Sequence, residues 1–175
     1  HFKEQFKLTQ TDLTDTRRRV QTAEKENGQL LNGTFMDYHL PTSLEVPRID
    51  TAHGRYAEAI SGLTKIVAFY DGRGMAVAPL VRALNFRADA HQGKGDADAA
   101  LADAHRALEI SRRLQGDKPW SSLTGLSLLT IARIQESRAD HEAARLAAKE
   151  ALPHLRETLG SEHPDARRAA QFGVD

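Results

Sequence analysis

The sequence predicts an all-α fold, an α-solenoid of antiparallel helix hairpins preceded by an N-terminal helix. Three short segments, around Ala88, Gly95 and Ala107, recur after the same offset of 44 residues. A period of about 20 to 50 residues is typical of repeat architectures, in which each unit buries its apolar face against the next. Hydrophobic residues make up 40% of the chain and many are alanine. Such small side chains favour close packing of one helix on another.

Composition excludes several classes of function. The 24 basic and 24 acidic side chains cancel, which argues against nucleic acid or an anionic membrane as the partner. The chain has no cysteine, so disulfides, thiolate metal sites and cysteine nucleophiles are excluded. No apolar run approaches the roughly 20 residues that cross a bilayer, which predicts no membrane contact by this segment. We expect a cytoplasmic location. The chain opens with His1, and we expect a segment of a longer protein.

Residues 1–47 are predicted to form an N-terminal helix and an irregular connection, followed by a repeat domain over 48–175. Phe6, Leu13 and Val20 recur every seven residues in a polar stretch. This weak heptad seam indicates a helix that either pairs with a second copy or docks on the first turn of the solenoid. The first alternative predicts a homodimer.

The repeat domain shows helical periodicity throughout. From Ile49 to Tyr70 apolar residues follow one stripe at steps of three and four. Gly54 either marks a turn between two short helices or lies inside one long helix, at a cost of about 1 kcal/mol. Further helices are predicted at about 76–92, 96–114, 119–137, 140–158 and 164–172. We expect the glycine-containing segment 93–96 to be a turn, since it lacks the spacing of a phosphate-binding loop.

These helix pairs resemble tetratricopeptide repeats, in which small residues occupy the helix crossings. The first pair supplies Leu84, Ala88, Ala100, Ala104 and Ala107, and the second supplies Leu128, Ala132, Ala144, Ala148 and Ala151. The connector Leu159-Gly160-Ser161-Glu162-His163-Pro164-Asp165 is similar to that of kinesin-light-chain-type repeats. Two positions depart from the pattern: Arg87 replaces a large apolar residue, and His91 replaces an aromatic one.

The resemblance implies a right-handed superhelix that acts as a protein–protein interaction module, not as an enzyme. It implies a bacterial scaffold within a larger signalling or regulatory protein, whose concave groove binds a peptide or a partner domain. The alternative function is self-assembly through the N-terminal helix. The partner-binding positions implied are Arg82, Asn85, Asp89, Gln92, Leu126, Leu129, Arg133 and Glu136. We expect Asn85→Ala with Arg133→Ala to weaken binding without changing the melting temperature.

The sequence indicates no catalytic or metal chemistry. No two histidines stand four residues apart with a glutamate between them, so the helical zinc motif is absent. We expect no cofactor and no metal. The carboxylates are predicted to lie on solvated helix faces beside basic residues.

Overall fold

The computed structural model describes Arg18 and residues 44–172. The helices below belong to the unit Thr42–Asp175. The predicted N-terminal seam of Phe6, Leu13 and Val20 lies outside the described residues. Within residues 44–172 there are seven helices and no strand: α1 (Glu45–Ala52), α2 (Tyr56–Asp71), α3 (Ala78–Lys94), α4 (Ala97–Gln115), α5 (Ser122–Ser137), α6 (His141–Leu159) and α7 (Pro164–Gln171).

The helices form two rows. Each helix packs on its neighbour in the chain, and α1, α3, α5 and α7 also contact one another in succession. The helices of the other row, α2, α4 and α6, pack chiefly on their sequence neighbours. A stack whose members touch along one row and separate along the other is curved, so α1, α3, α5 and α7 form the concave wall. The predicted all-α solenoid of helix hairpins is confirmed.

The helix ends follow local backbone chemistry. Gly54 has a φ of +74° and separates α1 from α2, so the two-helix alternative is the correct one. The predicted turn at 93–96 is partly wrong, because α3 continues through Lys94. Gly95 then takes a φ of +90°, a conformation that suits glycine. Asp96 caps α4 by accepting a hydrogen bond from the Ala99 N–H at 3.2 Å.

Alanines fill the helix crossings as the repeat pattern predicts. Ala88 on α3 and Ala132 on α5 have no exposed surface, and neither do Ala104 on α4 and Ala144 on α6. The apolar core divides into two clusters, one around Leu63 and Leu84, the other around Leu128, Ile134 and Leu155. Because these side chains hold α3 and α5 side by side, they fix the separation of the two helices on the concave wall.

Candidate functional site

A groove on the concave wall contains most of the positions that sequence reasoning selected. It is a cavity of about 480 Å³ formed by residues of α1, α3, α5 and α7; we call it the α3–α5 groove. Six of the eight predicted positions line it: Arg82, Asn85, Asp89, Leu126, Leu129 and Arg133. The structure thus brings together side chains that lie one repeat apart in sequence.

The other two predicted positions lie beyond this groove. Glu136 lines an adjoining cavity of about 830 Å³, which shares Arg133 with the groove. Gln92 does not line either cavity; its Nε2 donates to the Arg133 carbonyl oxygen at 3.1 Å. Gln92 therefore ties α3 to α5 next to the groove.

The polar floor of the groove also joins α3 to α5. Asn85 is only 8% exposed, and its Nδ2 donates to Ser127 Oγ at 3.0 Å. The Arg133 guanidinium donates to the Asp89 carboxylate, a residue 44 positions earlier. Truncating a partner of a buried hydrogen bond costs about 1–3 kcal/mol. We therefore no longer expect Asn85→Ala with Arg133→Ala to leave the melting temperature unchanged.

The charges that line the groove balance. Three basic side chains and three acidic ones face it. Arg48 pairs with Glu45 at 2.7 Å, and Arg133 pairs with Asp89. Burial raises the pKa of Asp89, an effect that Arg133 opposes. Arg82 is exposed and has no ion pair or hydrogen bond within the part of the chain described, so its charge is available to a ligand.

Sequence reasoning found only part of the apolar wall of the groove, namely Leu126 and Leu129. Leu44, Phe86 and Leu123 line it together with Leu126 and Leu129. Leu123 lies one helical turn before Leu126, so helical spacing points to it. Phe86 carries the same signal, because it lies one turn after Arg82 and one turn before Asp89 on α3. Leu44 carries none, because the inner face of α3 does not by itself reveal how α1 closes the end of the groove.

The adjoining cavity is more polar. It is lined by the end of α5, the start of α6 and one face of α7: Arg133, Glu136, His141, Glu142, Arg145, Arg168, Gln171 and Phe172. His141 Nδ1 lies 2.9 Å from Glu136 Oε2. This hydrogen bond with the carboxylate raises the pKa of His141, so the imidazole neutralises Glu136 over a wider pH range.

Two carboxylates contradict the prediction of solvated acidic faces. Asp50 and Asp103 are buried. Asp103 accepts two hydrogen bonds from Arg87, at 2.6 and 2.7 Å, and Asp50 accepts one from Arg55 Nε at 2.8 Å. The arginine that interrupts the repeat pattern at position 87 thus has a structural partner one helix away.

The described part of the chain offers no clustered metal site. Over residues 44–172 no three histidine or acidic side chains lie close enough together to hold an ion. None of the described helices combines the length and apolar character of a bilayer span. The chemistry on the concave wall is that of hydrogen bonding, ion pairing and apolar contact.

The architecture of residues 44–172 is that of an all-α helical-repeat protein, and comparisons show what part of it resembles. The tetratricopeptide repeat family profile matches residues 80–119, which include α4 and most of α3. No curated protein matches the sequence. The predicted resemblance to tetratricopeptide repeats of the kinesin-light-chain type is confirmed.

Solved structures with a similar fold are nearly identical TPR-like repeats of a Podosopora anserina kinesin light chain. One superposes with a TM-score of 0.61 at 20% identity, covering 78% of this chain and 67% of that one. A point variant of the same repeats gives the same TM-score and identity, with coverages of 76% and 62%. The chain thus spans about two thirds of the length of these structures and shares their fold.

Proposed function

We propose that residues 44–172 form a protein-interaction module whose α3–α5 groove holds an extended segment of a partner. Tetratricopeptide repeats generally mediate protein–protein interaction. The observation that carries the proposal is the groove itself, a cavity of about 480 Å³ in which four helices present one apolar wall and one polar floor.

The two sides of the groove suit different parts of a peptide. Leu126, Leu129 and Phe86 offer an apolar surface for one bulky side chain. Arg82, at the edge, has an unpaired charge for a partner carboxylate or carbonyl. The floor of the groove is held in shape by two polar contacts between α3 and α5. Asn85 bonds Ser127, and Arg133 pairs with Asp89. Recognition of the partner then depends on Arg82 and the apolar wall, and the stability of the fold depends on the polar floor.

The module is proposed to act inside a larger signalling or regulatory protein, as a scaffold without chemistry of its own. We expect the groove to bind a peptide at micromolar strength, which corresponds to a binding free energy of about −8 kcal/mol. Affinity of that order suits reversible docking.

Peptides selected from a random display library against the intact chain test the proposal. Arg82→Ala and Leu126→Gln are expected to weaken the selected peptide about tenfold each, or about 1.4 kcal/mol, measured by fluorescence polarisation. Matched controls on α6 are Arg156→Ala and Leu146→Gln, because both side chains are exposed away from the groove. Equal losses in groove and control variants would remove the basis for the assignment.

The same preparation distinguishes docking from self-assembly. Size-exclusion chromatography with light scattering on chains with and without residues 1–30 reports the oligomeric state. A dimer that requires residues 1–30, together with no peptide selected against the groove, would favour the self-assembly function instead.

A further inference from the structure

One imidazole ties the connection between α4 and α5 to α6. The Ser121 backbone N–H donates to His154 Nδ1 at 3.1 Å. A backbone N–H can only donate, so Nδ1 must carry no proton, and the proton of the neutral ring sits on Nε2. The hydrogen bond therefore exists in only one of the two charge states of His154.

The surroundings of His154 make this bond structural. The residue is 9% exposed, and the Trp120 ring meets it edge to face with 5.6 Å between centroids. Ser121 also caps α5, since its Oγ accepts from the Thr124 N–H at 3.3 Å. On the next turn, a Cβ added to Gly125 would lie 2.9 Å from His154 Cβ. The first turn of α5 and its preceding linker thus rest directly on this side chain.

We propose that His154 is a proton-sensitive latch between the two repeats. When the ring takes a second proton, Nδ1 becomes a donor and faces the Ser121 N–H, which is also a donor. The hydrogen bond is lost, residues 116–121 separate from α6, and the first turn of α5 loosens while the helices remain folded. This device is independent of what the α3–α5 groove binds.

The surroundings of His154 shift its protonation to a pH below the ordinary pKa of histidine. Burial lowers the pKa of His154 below its ordinary value of 6.5. Arg112 on α4 lowers it further, and Glu150, one turn earlier on α6, opposes both; these two charges pair with each other at 2.5 Å. The segment 119–125 packed against the ring has no titratable side chain.

The sign of the linkage follows from that direction. A group whose pKa is lower in the folded state contributes stability that is present above its unfolded pKa and is lost as the pH falls through the folded value. The latch is therefore closed at pH 7 and opens below pH 6.5.

Trp120 is the single tryptophan of the chain and reports on the latch directly. Tryptophan emission and the Ser121 amide resonance are followed from pH 8 to 4.5, with far-UV circular dichroism confirming retained helix. We expect one transition below pH 6.5, shared by Trp120 emission, the Ser121 amide shift and the His154 ring resonances. We expect hydrogen exchange of the Ser121 amide to become at least about tenfold faster when His154 is protonated, after correction for the intrinsic effect of pH. A tenfold increase corresponds to a loss of about 1.4 kcal/mol in the free energy that protects this amide.

Two variants separate the latch from other titrations. His154→Gln keeps an acceptor but does not titrate, so the transition should vanish; His141→Gln removes an exposed histidine and should leave it unchanged. A transition that persists in His154→Gln overturns the proposal. If that variant does not fold, the native chain still decides: a Ser121 amide that does not move as the His154 ring titrates contradicts the latch.

Discussion

The first repeat, α3–α4, and the second, α5–α6, have the same helix crossing, but one uses charged side chains there and the other apolar ones. In the first, Arg87 on α3 and Asp103 on α4 form a bidentate ion pair at 2.6 and 2.7 Å, with the two side chains only 16% and 10% exposed. One period of 44 residues later, the same positions are Ile131 on α5, which lies in the apolar core, and Ala147 on α6, which packs against that core.

The difference shows that a repeat period fixes which positions face a neighbour but not the type of contact. Arg87 also donates to Thr64 Oγ1 on α2 at 3.3 Å, so the polar contacts of Arg87 join three helices. A buried ion pair repays its desolvation only when the geometry is good and the remaining polar atoms are satisfied. The bidentate contact supplies the geometry, and Thr64 supplies a partner for a further N–H of Arg87.

The largest effect is expected from breaking the polar crossing. Asp103→Ala leaves the Arg87 guanidinium buried without its carboxylate, and we expect a loss of about 3 kcal/mol in the free energy of unfolding. Chemical denaturation with far-UV circular dichroism measures it. A loss below about 1 kcal/mol would mean that solvent or another acceptor replaces Asp103.

The matched control for Asp103→Ala copies the second repeat into the first. In Arg87→Ile with Asp103→Ala both charges are removed together, so no unpaired group remains. We expect a stability within about 1 kcal/mol of the native chain, because replacing a buried ion pair by apolar residues is often neutral or stabilising. If the double variant is as unstable as Asp103→Ala, the cost arises from packing instead of charge.

An intermediate effect is expected where the two repeats are alike. Ala88→Leu and Ala132→Leu each force a larger side chain into a crossing with no exposed surface. Overpacking of this kind costs about 1–3 kcal/mol, and thermal unfolding compares the two variants. Similar losses support equivalent packing at the two crossings; a neutral result at either would show that its helices can separate to make room.

The smallest effect is expected at an exposed ion pair between α2 and the first repeat. Arg106 on α4 donates to Asp71 on α2, and each side chain is about 40% exposed. Exposed pairs contribute about 1 kcal/mol or less and are screened by salt. Arg106→Ala should therefore change stability by less than about 1 kcal/mol, and the change should shrink between 50 mM and 1 M salt. If Arg106→Ala loses as much stability as Asp103→Ala, then the difference in solvent exposure does not explain the stability contributions of the two ion pairs.

Repeat spacing predicts which residues line the groove but not which contacts they make. Counting one period along two inner helices selected Asn85, Leu129 and Arg133, because residues on the inner face of adjacent repeats are equivalent. Spacing could not show that Asn85 bonds Ser127 or that Arg133 pairs with Asp89. Those partners depend on the distance between α3 and α5, which the core behind them sets.

The sequence by itself determined the repeat period, the order of the helices and the alanine crossings, since helical periodicity and side-chain size are local properties. Only the tertiary structure decided that Leu44 completes the groove wall and that Arg87 pairs with Asp103. It also placed His154 under the α4–α5 connection. Each of these contacts joins residues from different helices, and their geometry follows from how the helices stack, which no single segment specifies.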